Sequence, residues 1–187
     1  MSGSEIIIVR SLADSDMGLF SAHRKATTSK QRAIALTSFA AGELLHPSVL
    51  KARGAEFDCI CIFGRSNNRE PRLIKKVGKN WRLSGRQIEG REFGDLDPKD
   101  FALIRSCRHN DGSSPILMTF IGRRSHRWVQ AGLAATFEQS LRQSVAVIDE
   151  SSPDFQTVAE LFPAVPAPVA VRSCLLADAS LLNGPRP

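Results

Sequence analysis

The segment Phe57 to Phe63 (FDCICIF) does most to limit what this chain can fold into. Apolar residues alternate with Asp58 and then run on unbroken, the pattern of a central β-strand that places Cys59 and Cys61 on one face. Other short segments repeat the theme. Ile6 to Val9 (IIIV) reads as a buried strand, Ala33 to Thr37 as another, and Arg72 to Val77 as a third that follows a loop containing Asn67, Asn68 and Pro71. Asp100 to Cys107 and Ile116 to Ile121 are two more, joined by HNDGSSP, whose Asn110, Asp111 and Gly112 suit a hairpin turn. Ser38 can cap a short helix through Leu45, ended by His46-Pro47. Up to residue 121 the chain is therefore mostly β.

Beyond Gly122 the period changes. Trp128 or Val129, Leu133, Phe137 and Leu141 recur at helical spacing after Ser125, and a second short helix fits Pro153 to Phe162, with Asp154 near its start. The remainder, PAVPAPVAV to LLNGPRP, is Pro and Ala rich and reads as a tail. From Ser11 to Lys30 small, polar and charged residues form a loop of about twenty positions, a length that in compact domains tends to carry function.

Charge separates the classes of partner. Arg65 to Arg91 holds nine Lys and Arg against Glu70 and Glu89, a surplus of seven where the whole chain carries +6. A solvated surface intersperses both signs; a basic loop or ribbon broken by Gly78, Gly85 and Gly90 meets a polyanion, nucleic acid first. Lys75, Lys76, Lys79, Arg82, Arg86 and Arg91 can contact phosphates, and Arg or Asn80 can read base edges. Trp81, with no neighbouring aromatic, reads as an anchor of this loop on the core. No apolar run is long enough for a membrane helix and the N-terminus lacks the form of a secretory signal, so a cytoplasmic protein without membrane contact is expected. Cys59, Cys61, Cys107 and Cys174 lack the spacing of a disulfide framework or zinc ribbon.

Catalytic arrangements fit poorly. His23-Arg24-Lys25 gives the His-x-Lys start of a phospholipase D type motif, but Lys30 stands where its Asp belongs. Asp95, Asp97 and Lys99 form a D-x-D-x-K cluster beside Pro98 and Gly94, more turn than metal site. Neither a phosphate-binding P-loop nor a dinucleotide fingerprint is present, and no cofactor or metal is implied.

The segment Leu12 to His23 resembles the L-x-x-x-D-x-G-x-x-x-x-H segment in the N-terminal recognition domain of EcoRII-type restriction endonucleases, through Leu12, Asp16, Gly18 and His23. The order that follows is similar too: strand, short helix, central strand, then KKVGKNWRLSG before the strand at Phe101. The resemblance covers about residues 5 to 121. It implies a β pseudobarrel related to the plant B-three domain, whose two arms grip the major groove of DNA. Carried over, the first arm is Ser11 to Arg24, with Asp16, His23 and Arg24, and the second is Lys75 to Arg86, with Lys79, Asn80, Arg82 and Arg86; Ser21, Lys25, Lys75, Lys76 and Ser84 complete the expected DNA-binding set. Asp16 there either accepts from a cytosine amino group or only caps a turn. An extra basic stretch, Lys25 to Arg32, and the lack of room for a nuclease domain depart from the family.

The expected fold class is mainly β (α+β): an open β pseudobarrel with short helices over residues 1–122, a helical appendage packed on it over 123–162, and the tail at 163–187. The expected function is sequence-specific recognition of double-stranded DNA, in a restriction-type system, through loops at about 11–30 and 64–91, with a separate nuclease partner or a homodimer. The alternatives are a small nuclease using His23 or Asp95, Asp97 and Lys99, and a module for RNA or an acidic protein.

Overall fold

In the computed structural model, which describes residues 4–23, 31–52, 54–63, 68–141 and 144–162, eight strands form one sheet. They are β1 (Glu5–Ser11), β2 (Ala33–Leu36), β3 (Glu56–Phe63), β4 (Asn68–Val77), β5 (Asn80–Ser84), β6 (Phe101–Cys107), β7 (Ile116–Ile121) and β8 (Val145–Asp149). Their order is β2-β5-β4-β3-β7-β6-β1-β8, antiparallel throughout except where β3 runs parallel to β7. The sheet curls into a nearly closed, barrel-like form with few short helices, the open pseudobarrel expected from the sequence. The helices are α1 (Ser38–Leu44), α2 (Pro47–Lys51), α3 (Arg127–Thr136), α4 (Glu138–Leu141) and α5 (Phe155–Ala159).

The two edges of the sheet meet at Arg10 on β1. Its Nε donates to the Ala35 carbonyl of β2 at 2.9 Å, and a terminal nitrogen donates to the Ser144 carbonyl, just ahead of β8, at 3.1 Å. The other terminal nitrogen lies 3.3 Å from Oδ2 of Asp16, whose carboxylate also accepts from the Ala13 and Ala35 N–H groups. Burial pushes the Asp16 carboxyl up, against the pull of the Ala13 hydrogen bond, the Arg10 charge and the Ala35 hydrogen bond. Such a pair adds little net stability, but its many directed bonds fix how the edges come together.

Apolar side chains make two cores. Inside the barrel, Ile6 and Ile8 of β1 pack with Leu36, Phe57, Ile74, Trp81, Leu83 and Ile104, plugged by Ala40, Ala41 and Leu44 of α1. On the outer face of β1, β6, β7 and β8, Ile7, Val9, Phe101 and Leu103 pack beneath Leu133, Phe137, Phe155 and Val158 of the α3–α5 region. Burial on both faces explains why β1 is an unbroken apolar run instead of an alternating one.

Several boundaries differ from expectation. Thr37, not Ser38, caps α1, its hydroxyl accepting from the Ala40 N–H at 3.1 Å, and Pro47 opens α2 instead of ending a helix. His126, not Ser125, is the cap residue ahead of α3, which begins at Arg127, while Asp154 stands just ahead of α5 as expected. KKVGKNWRLSG is not a loop but a hairpin, with β5 paired to both β4 and β2. The region expected to be a helical appendage supplies β8, which pairs with β1 from Ile6↔Asp149 to Arg10↔Val145. The tail at 163–187, with Cys174, lies outside the described residues.

Candidate nucleic-acid interface

Among the described residues no helix covers the outer face of half of the sheet, β2, β5, β4 and β3. Alternation puts Trp81 and Leu83 of β5 inward, where both are buried, and Asn80, Arg82 and Ser84 outward. Trp81 is thus an anchor, as its isolation in the sequence implies. Cross-strand register sets Lys75 beside Arg82, while Ala35 and Ala33 of β2 oppose Arg82 and Ser84. Ala35, half-buried, is the small neighbour of Arg82 on this face, while Ala33 is buried. Ser84 commits its hydroxyl to the Leu73 carbonyl at 3.0 Å, and Glu56 of β3 lies opposite Lys75 at the acidic margin of the face.

Loops bound this face at both ends. At one end is the β4–β5 turn of Gly78 and Lys79, where Gly78 has φ +62°, and Ser38 of α1 donates to the Lys79 carbonyl at 3.3 Å. Lys76, Lys79 and Asn80 are exposed there, together with Phe39, which the sequence analysis overlooked. Its signal was present: Ala40, Ala41 and Leu44 form the buried stripe of α1, and Phe39 falls off it. At the other end the segment from Leu12 to His23 folds against the chain after β5, with Phe20 bridged to Ile88 and Gln87 donating to the Gly18 carbonyl at 3.1 Å. Ser21, Gln87 and Arg91 border a shallow depression between these two loops.

The first arm is more structured than its composition suggests. It forms 3₁₀ turns at Asp14–Leu19 and Ser21–His23, with Leu12, Met17, Leu19 and Phe20 in the barrel core. Asp16 is fully buried, so the turn-capping role is the one its geometry serves, and it is withdrawn from the surface that a base could reach. His23 Nε2 bonds to the Phe93 carbonyl at 2.9 Å, with its ring edge-on to Phe20. The motif residues Leu12, Asp16, Gly18 and His23 therefore build the base of the arm. Arg24 and Lys25 lie outside the described residues, as does Arg65.

Arg72, within the same basic window, serves the fold. It is buried on the inner face, with its guanidinium 2.5 Å from Glu70 Oε2 and from the Arg86 carbonyl, and 4.8 Å from the Phe63 ring centroid. A Cβ at Gly85 would come within 2.5 Å of its side chain, so Gly85 makes room for this clamp on the loop that carries Arg86. In the D-x-D-x-K cluster, Asp97 is paired with Arg124 at 3.2 Å, Asp95 is exposed, and Lys99 sits in a turn at φ +74°. Among the described residues no three His, Cys, Asp or Glu side chains converge to hold a metal ion.

Ion pairing distinguishes the two kinds of cation. Arg10, Arg105, Arg108, Arg123 and Arg124, on or beside β1, β6, β7 and β8, each hold a carboxylate within 3.3 Å. Among the described residues Lys75, Lys76, Lys79, Arg82, Arg86 and Arg91 have none. No described helix is long and apolar enough to cross a membrane. The chain matches no protein-family model and no curated protein.

Proposed function

We propose that the chain is a double-stranded DNA-binding module that takes the duplex across the uncovered face of β2, β5 and β4. The observation that carries this reading is the absence, among the described residues, of a carboxylate partner for six cations on one hairpin and its following loop, where the buried Arg10 and Arg72 are both paired. Unpaired cations held together repel one another, and a polyanion relieves that repulsion while releasing its counterions. From Lys79 to Arg86 the strand direction spans on the order of 20 Å, enough to lay loops on both sides of a major groove about 12 Å wide. The ground for sequence reading in a restriction-type system is the likeness of Leu12, Asp16, Gly18 and His23 to the EcoRII-type recognition segment.

In this reading Arg82 and Asn80, on the floor of the face, read bases. Lys75, Lys76, Lys79 and Arg86 hold phosphates, joined by Ser21 and by the Arg24 and Lys25 segment. Asp16 and His23 shape the first arm, and Ser84 belongs to the sheet.

The test is selection of bound duplexes from a randomised pool in EDTA, followed by titration of the winners at rising salt. An enriched motif is expected, with affinity falling by about 10³ to 10⁵ between 50 and 200 mM salt for six to ten phosphate contacts. Arg82→Ala should weaken the selected site by about 1–3 kcal/mol and relax its sequence, while Lys79→Ala weakens all duplexes alike. A flat salt response would sink the DNA reading; binding without enrichment would remove base recognition from it.

A further inference from the structure

Trp128 is the most exposed large apolar side chain of the described residues, at 83 %. It stands on the first turn of α3, on the covered side of the barrel, with the Arg127 guanidinium 5.8 Å from its ring centroid. Sequence periodicity places it or Val129 on the buried stripe; the structure turns Val129 inward and leaves Trp128 in water. An indole left outside its own core commonly anchors an interface.

The surface beyond it is apolar and low. Ala131, Gly132 and Ala135 are exposed along the next two turns, and a Cβ at Gly132 would meet nothing within 4 Å. Between α3 and α5 lies a trough of about 240 Å³, lined chiefly by Val129, Gly132, Thr136, Val158 and Leu161. Charge runs along the same surface. Arg127 marks the N-terminal end of α3, while exposed Glu138 follows its C-terminal end and Asp154 borders the trough. Arg127 and Glu138 are about 16 Å apart along the helix direction, too far to pair within one chain.

A protruding indole, a trough one to two turns away and opposite charges at the two ends are self-complementary. We propose that two copies of the chain pair through antiparallel α3 helices about a two-fold axis near Gly132. Trp128 of each copy fills the α3–α5 trough of the other, and Arg127 of each faces Glu138 of the other. The two-fold operation exchanges position 128 with about 136 and 127 with about 138, which brings the indole to Thr136 and the guanidinium to the carboxylate. A nucleic acid suits this patch less well, since Arg123 and Arg124 are already paired with Asp100 and Asp97, and the strip beyond Trp128 offers small apolar residues. The proposal is independent of the DNA reading, because α3 lies on the sheet half opposite the unpaired hairpin.

Sedimentation velocity of the full chain without DNA, over a wide range of concentration, tests the pairing alongside tryptophan emission. Trp81 is buried in the barrel, so a concentration-dependent blue shift reports Trp128. A monomer–dimer transition accompanied by that shift is expected. Trp128→Ala, which removes nothing from either core, should abolish the dimer. Arg127→Glu should weaken it at least tenfold, and the double variant Arg127→Glu with Glu138→Arg should restore it. A wild-type chain that is monomeric throughout, or a dimer that survives Trp128→Ala, would overturn the pairing. So would a blue shift that appears only on adding duplex DNA at unchanged protein stoichiometry, which would transfer Trp128 to the nucleic-acid surface.

Discussion

The two halves of the sheet use the same strand chemistry to opposite ends. In β1 and β6 both faces are buried: Ile8 and Ile104 point into the barrel, Ile7 and Leu103 lie under α3 and α5. In β4 and β5 only the inner face is, through Ile74, Trp81 and Leu83, and the outer face carries Lys75, Arg82 and Asn80. The ion-paired Arg10, Arg105, Arg108, Arg123 and Arg124 lie on or beside the covered half, while Lys75 and Arg82 on the open face have no carboxylate partner among the described residues. Stability is therefore concentrated where helices cover the sheet, and the open half is left free for a partner.

Substitutions can break that comparison. The largest difference is expected between Leu103→Ala and Ile60→Ala. Leu103 is fully buried in the second core and should lose about 2–5 kcal/mol in urea unfolding. Ile60, exposed on the open half, should stay within about 0.5 kcal/mol. Equal losses would mean that the open face is covered in solution.

Gly85→Ala comes next, because Gly85 lies where packing of the sheet meets the loop that carries Arg86. Its Cβ would collide with Arg72, which holds the Arg86 carbonyl, so about 1–3 kcal/mol of stability should be lost together with DNA affinity. Lost affinity at unchanged stability would detach the clamp from the fold. The smallest effect belongs to Asp149 at the end of β8, whose carboxyl is held below its ordinary value by the Ser151 hydroxyl and N–H, with Arg108 adding to it. The folded state then releases this proton at lower pH than the unfolded chain. The contribution is complete above the ordinary carboxylate range and disappears as pH falls through the depressed value. Asp149→Asn should flatten the acid side of the stability–pH curve; a change confined to neutral pH would contradict it.

Much of this was legible in the residues. FDCICIF gave its strand because alternation on a half-open sheet is a direct record of which side faces water, and IIIV gave its own because burial on both faces leaves no polar positions. What escaped has physical causes. β5 was hidden because Trp81 and Leu83 are its only inward apolar residues, between Lys79 and Gly85, so composition resembled a loop. β8, a short VAVID run, was hidden behind the stronger helical period of residues 128–141. At the candidate interface the charge surplus falls on the β4–β5 hairpin, but charge alone does not tell sides apart: Arg72 turns inward where Lys75 turns outward. Asp16 was placed on a DNA-facing arm by its motif, whereas its burial follows from Arg10, a partner six residues away on another element. Such pairings are tertiary, and no local spacing announces them.

The placement of β1 has a consequence for how the chain is made. Among the described residues β1 pairs only with β6 and β8, both about a hundred residues or more later in the chain, with Ile6 opposite Ser106 on one side and Asp149 on the other. The β2–β5–β4–β3 half, by contrast, can pair within itself once residue 84 has been made. During synthesis the most insoluble strand is thus the last to be satisfied, a long-range closure of the kind that slows folding and leaves nascent chains prone to association.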